Sequence, residues 1–208
     1  ELQANAIFWN MGENCTSNSR IIAHAAVYDD LVAALARHAA DWTVGDPLDP
    51  STKNGPLVSA EHLAKVAGLV ESGRREGARV VCGAEAGEGL CYRPTVFAEV
   101  TREMDIFQTE IFGPVVGVTK AGSDAQAIEL ANATAYGLAA TLYTRDVAKA
   151  HRYARALKAG TVSVNAYSEG EISTPFGGFK ASGFGGRDNG IHAHEQYTEL
   201  KTIWIDLS

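Results

Sequence analysis

The chain has 208 residues, enough for one domain or one domain with an appendage. Apolar residues make up 46% and charged residues 21%, an ordinary globular mix that excludes a disordered, collagen-like or coiled-coil chain. Lysine and arginine number 18 against 25 acidic residues, so the net charge of −7 argues against a nucleic-acid partner, and no apolar run approaches a membrane span.

In chain order, residues 20–27 (RIIAHAAV) read as a strand, and residues 29–42 as a helix with Leu31, Val32, Leu35, Ala36 and Ala39 on one stripe. Residues 45–54 hold two prolines and read as a loop. Residues 59–76 predict a helix with Ser59 as N-cap, an apolar stripe of Leu63, Val66 and Val70, and Gly77 at its C-terminal end. Strands are expected over 79–82 (RVVC), 92–100, 114–120 (PVVGVTK), 138–144 and 161–165 (TVSVN), with helices over 123–133 and 146–158. Strands alternating with helices predict an α/β fold, a three-layer αβα domain with a mostly parallel sheet, whose ligands bind beyond the carboxyl ends of the strands. Residues 197–207 (YTELKTIWIDL) alternate like a strand that needs a partner.

Three cysteines, Cys15, Cys82 and Cys91, are too few and odd in number for a disulfide scaffold. No C-x-x-C pair or H-E-x-x-H motif occurs, so no metal site is expected. The chain opens on Glu1 with no export signal pattern, so it is read as starting away from a natural translation start, in a reducing, cytoplasmic setting.

Any cysteine is first a small buried hydrophobe. Cys82, closing RVVC, fits that reading and is expected to be shielded, while Cys91, in a Gly-rich turn, is expected to compete for exposure. Cys15 differs, because Gly12 and polar residues precede it and Thr16, Ser17, Asn18 and Ser19 follow. That polar run can cap a helix, and a thiol at a helix N-terminus loses its proton more easily, so Cys15 is a candidate nucleophile. The glycines of residues 177–190 match neither a Walker A loop nor a dinucleotide fingerprint, and are read as supplying positive φ to a tight loop beside the site.

The stretch Phe8-x-Asn10-x-Gly12-Glu13-x-Cys15 resembles the active-site cysteine motif of the aldehyde dehydrogenase superfamily. Glu110-Ile111-Phe112-Gly113-Pro114-Val115 and Pro175-Phe176-Gly177-Gly178-Phe179-Lys180-x-Ser182-Gly183 resemble two further motifs of that family, in the same order. The resemblance covers essentially the whole chain as the family's C-terminal catalytic region. Glu199 to Trp204 and the Ser168-Glu169-Gly170-Glu171 segment look most like bacterial aminoaldehyde dehydrogenases of the γ-glutamyl-γ-aminobutyraldehyde type.

The resemblance implies an NAD(P)-dependent oxidation of an aldehyde, among them an ω-amino aldehyde, to a carboxylic acid. Cys15 would attack the aldehyde to give a thiohemiacetal, then a thioester. Its own backbone N–H would help hold the oxyanion. Glu110 would hold the nicotinamide ribose and Phe112 would pack on the nicotinamide. Lys65 matches a position that contacts the adenosine ribose; the position three before it, often Gln in relatives, is His62 here. Trp9 and Phe176 match positions lining the aldehyde tunnel, and Glu169 and Glu171 could face a substrate amine. Each of these also has a plainer reading, as core aromatic or solvated charge.

The family's NAD-binding domain, general-base glutamate and oxyanion-hole asparagine lie upstream of the matching region. The chain is therefore expected to comprise a catalytic part, 1–196, and an oligomerisation strand, 197–208, of a homo-oligomer. Alone it is expected to hold neither NAD nor NADP usefully and to act, if at all, as an oligomerisation module with slow acyl transfer. No membrane partner is expected.

Overall fold

The computed structural model describes residues 2–167 and 171–208. Helix α1 (Leu2–Phe8) leads through a turn into strand β1 (Arg20–His24) and helix α2 (Tyr28–Ala40). Helix α3 (Ala60–Arg75), strands β2 (Arg79–Cys82) and β3 (Thr95–Ala98), the one-turn helix α4 (Asp105–Gln108) and strand β4 (Val115–Ala121) follow. Helix α5 (Asp124–Ala131), strand β5 (Ala139–Leu142), helix α6 (Val147–Ala156) and strand β6 (Thr161–Val164) complete the regular elements. The strands and helices expected between residues 20 and 165 form, and α1 and α4 are additional to them.

Beta strands turn successive side chains to opposite faces, and the central strands have apolar residues on both. On one face Val96, Ala98, Val116 and Val118 pack with Ile7 and Phe8 of α1 and with Val32 and Leu35 of α2. On the other, Phe97 and Val115 pack with Val66 and Val70 of α3 and with Ile106 and Phe107 of α4. This produces the expected three layers. The sheet order is β1-β4-β3-β2, with β1, β4 and β3 parallel and β2 antiparallel to β3. Strands β5 and β6 form a separate parallel pair.

Phe97 is fully buried at 0% exposure, so its ring is all core. Phe97→Ala is expected to lower the unfolding free energy by about 3–5 kcal/mol, read as an earlier urea midpoint at unchanged slope. A loss within 1 kcal/mol would place the core elsewhere.

Three helices start on side-chain caps. Ser59 Oγ accepts from His62 N–H (3.1 Å), Ser123 Oγ from Gln126 N–H (3.2 Å) and Asp146 Oδ1 from Lys149 N–H (3.0 Å). Gly77, at φ +96°, follows the end of α3.

In the C-terminal third one expectation changes, that the glycines of 177–190 serve chiefly to supply positive φ. Residues 197–208 pair with no strand among the described residues, and Leu200, Ile203, Trp204, Ile205 and Leu207 are exposed. Within 177–190, Gly185 and Gly190 are the only glycines with left-handed φ, alongside the non-glycines Lys180 and Asn189. The other glycines admit close backbone approach: a Cβ at Gly178 would lie 2.1 Å from Ser182 O, and one at Gly183 2.6 Å from Gly178 O. Among the described residues no helix is long and apolar enough to cross a membrane.

Candidate active site

Phe8 ends α1 inside the core, and the chain then reverses through Asn10 and Met11, both left-handed at φ 50° and 56°, into Gly12 at φ +71°. Cys15 follows, in a turn ahead of β1, and is exposed. The expected helix start is therefore not there. The hydroxyl run is used otherwise: Ser17 N–H donates to Asn14 O (3.0 Å), Ser17 Oγ to Ile7 O (3.4 Å) and Asn18 N–H to Ala6 O (3.2 Å). These bonds fold the chain back on α1, so the run does not start a helix at the thiol. The flanks of Cys15 are held by Tyr167, whose hydroxyl accepts from Asn14 Nδ2 (2.8 Å) and lies 3.1 Å from Thr16 Oγ1.

A second loop faces this one. Between α4 and β4, Glu110 is exposed, Ile111 buried and Phe112 partly buried. Phe112 has φ +59°, a conformation unfavourable for a bulky side chain. The two loops meet backbone to backbone at Gly12, where a Cβ would lie only 2.1 Å from Gly113 O. Cys15, Glu110 and Phe112 line one cavity of about 1240 Å³, which runs on between β1 and β5. Arg20 lines it too, its guanidinium 5.0 Å from the Phe107 ring centre and its pKa lowered by burial.

The other candidates lie elsewhere. Lys65 is exposed on α3, Trp9 is 58% exposed, and Phe176 pairs its backbone with Asp188; none lines this cavity. Glu169 lies outside the described residues. Glu171 is exposed and accepts from Ser173 Oγ (2.9 Å) in a local turn. His62 turns its ring toward Phe112, with Nε2 2.6 Å from the Phe112 carbonyl. Neither the Tyr167 nor the His62 contact is visible in the sequence, since each joins residues far apart along the chain.

Of the three cysteines, only Cys15 is exposed. Cys91 is buried, only 8% exposed and against expectation, because its turn closes on itself and is tied to the Leu57 segment: Gly87 N–H donates to Cys91 O and Leu57 N–H to Leu90 O. Burial pushes up the pKa of both Cys91 and Cys82, leaving less thiolate at neutral pH. Iodoacetamide at neutral pH is expected to modify Cys15 first, as read by peptide mass spectrometry. Faster labelling of Cys91 would contradict the exposure order.

The model of the aldehyde dehydrogenase family matches residues 1–203. The chain belongs to the aldehyde dehydrogenase family. It is 48% identical to the aminoacetaldehyde dehydrogenase of Pseudomonas aeruginosa, over 98% of this chain and 41% of that protein. It is 43% identical to human retinaldehyde dehydrogenase 3, over 100% of this chain and 41% of that protein. The NAD+ complex of an aldehyde dehydrogenase from Bacillus cereus superposes with a TM-score of 0.94 at 40% identity, covering 100% of this chain and 42% of that one. This aldehyde dehydrogenase chain thus spans about two fifths of the length of the relatives it matches. Relatives named for substrates as different as aminoacetaldehyde and retinaldehyde lie at comparable identity, so family membership does not extend to one subfamily.

Proposed function

We propose that the full-length protein oxidises an aldehyde to a carboxylic acid with NAD or NADP, and that Cys15 is its nucleophile. One observation carries the reading: the exposed Cys15 shares a cavity with Glu110 and Phe112, on loops locked together at Gly12. The Cys15 thiolate adds to the aldehyde carbon, giving a thiohemiacetal whose oxyanion meets backbone N–H donors, that of Cys15 among them. A dinucleotide held beside Cys15 would supply the hydride acceptor, so that loss of hydride from the thiohemiacetal carbon leaves a thioester on Cys15. Water then releases the acid from the Cys15 thioester and restores the thiol.

The residues at the cavity fit the nicotinamide end of such a cofactor. Glu110 is exposed and offers two acceptor oxygens to a ribose diol, and Phe112 offers an apolar ring beside it. On motif position alone, Lys65 is assigned to the adenosine ribose and Trp9 and Phe176 to the aldehyde approach, all three outside the cavity that Cys15 lines. The catalytic part comprises residues 1–196, and the exposed, alternating arm 197–208 adds as a strand to a second copy.

Among aldehydes we place ω-amino aldehydes first. The support is the 48% identity to an aminoacetaldehyde dehydrogenase and an exposed carboxylate at Glu171 able to meet an ammonium. The test is NAD(P)H formation by the full-length protein with ω-amino, trimethylammonio and purely apolar aldehydes. The reading expects the highest kcat/KM for an amino aldehyde. A preference for apolar aldehydes would remove the substrate class, and no turnover with any would remove the reaction.

A further inference from the structure

His62 sits at the point where the two loops of the site come together. It is the third residue of α3, with its backbone N–H fixed by the Ser59 cap at 3.1 Å. Its side chain is 14% exposed and that of Glu13 11%, so the pair is largely shielded from water. His62 Nε2 lies 2.6 Å from the Phe112 carbonyl and 3.4 Å from Glu13 Oε1. A carbonyl oxygen can only accept, so Nε2 carries the proton. Glu13 Oε1 is itself held by Val58 N–H at 3.1 Å. The His62 ring also meets the Phe112 ring edge to face, with centroids 6.2 Å apart.

Phe112 needs this support. A phenylalanine at φ +59° would relax to negative φ if its peptide were released, and the turn of that peptide would swing Glu110, two residues earlier. Glu13, the second group facing Nε2, lies two residues before Cys15. The imidazole thus bridges the loop of the nucleophile and the loop of the carboxylate.

We propose that His62 is a positioning residue: through its Nε2–H bond to the Phe112 carbonyl it holds Glu110 and Phe112 in the geometry that binds the nicotinamide end of the cofactor, without touching the cofactor itself. The inference rests on the reading of Glu110 and Phe112 given above. The ring nitrogen is spent on protein groups, the Phe112 carbonyl and the Glu13 carboxylate.

The test uses full-length protein and initial rates of NADH formation against NAD+ concentration. His62→Leu is expected to raise KM for NAD+ about tenfold with kcat changed by less than about threefold, because it loosens a binding loop and leaves Cys15 in place. His62→Gln, which keeps an N–H donor at similar reach, is expected to restore KM to within about twofold of the parent value. If His62→Leu does not fold, as judged by thermal melting, His62→Asn serves instead, being polar but too short to reach the Phe112 carbonyl. A normal KM in a folded His62→Leu or His62→Asn protein overturns the inference, and so does a His62→Gln protein as impaired as either. Glu110→Ala separates the two levels. If it raises KM for NAD+ while His62→Leu does not, the cofactor reading stands and the His62 inference falls. If it leaves KM unchanged, the cofactor reading falls and the inference with it.

Discussion

Full-length protein carrying Cys15→Ser is expected to lose aldehyde-dependent NAD(P)H formation by about 10³-fold or more while melting at the parent temperature. The two halves of this expectation have different causes. A cysteine thiol supplies thiolate at neutral pH far more readily than a serine hydroxyl supplies alkoxide, so the nucleophile itself disappears. Cys15 is exposed in a turn, so exchanging sulfur for oxygen there removes little packing and shifts stability by only about 0.5 kcal/mol. Cys82→Ser is the matched control. Its sulfur is half-buried in β2 and its loss costs some stability, but turnover per folded molecule should stay at the parent level. A Cys15→Ser enzyme that retained turnover would remove Cys15 from the chemistry, whatever its position in the motif.

How far the sequence could be read depended on the range of the interactions. The starts of α3, α5 and α6 were readable because Ser59, Ser123 and Asp146 bond to the N–H three residues on, a contact the sequence displays directly. Strand β4 was readable because both its faces are buried up to Thr119, which leaves the apolar run VVGV over 115–118. Helix α4 was not, since one turn of four residues carries no period, and its stability comes from Ile106 and Phe107 in the core. The setting of Cys15 was misread for a related reason. Hydroxyl groups that cap helices also tie turns, and the bonds to Ile7 and Ala6 that decide between the two involve residues of the preceding helix. Cys91 was misread because its cover comes from the Leu57 segment. The site followed the same rule: Cys15, Glu110 and Phe112 were found through local motifs, whereas the contacts made by Tyr167 and His62 exist only once the chain is folded.

Gly12→Ala is expected to have the second large effect, and it tests whether the two loops work as one unit. Gly12 has φ +71°, which costs an alanine about 1–2 kcal/mol. Strain alone would make it an ordinary turn glycine. The added Cβ would also lie 2.1 Å from Gly113 O and 2.5 Å from Gly113 C, and both are backbone atoms that no rotamer change can move. The loop bearing Cys15 must therefore back away from the loop bearing Glu110 and Phe112. Displacing a nucleophile by about 1 Å is enough to cost about 10²-fold in turnover, so the full-length Gly12→Ala protein should lose at least that much even where it folds. Gly89 supplies the comparison. It has φ +63°, but nothing lies within 4 Å of its Cβ position, so Gly89→Ala carries the conformational cost without the collision. Gly89→Ala is expected to lose about 1–2 kcal/mol of stability and keep its turnover, while Gly12→Ala loses both. Measured side by side by urea unfolding and steady-state rates, equal behaviour of the two variants would mean that the contact between the loops is not what brings the thiol and the carboxylate to the same cavity.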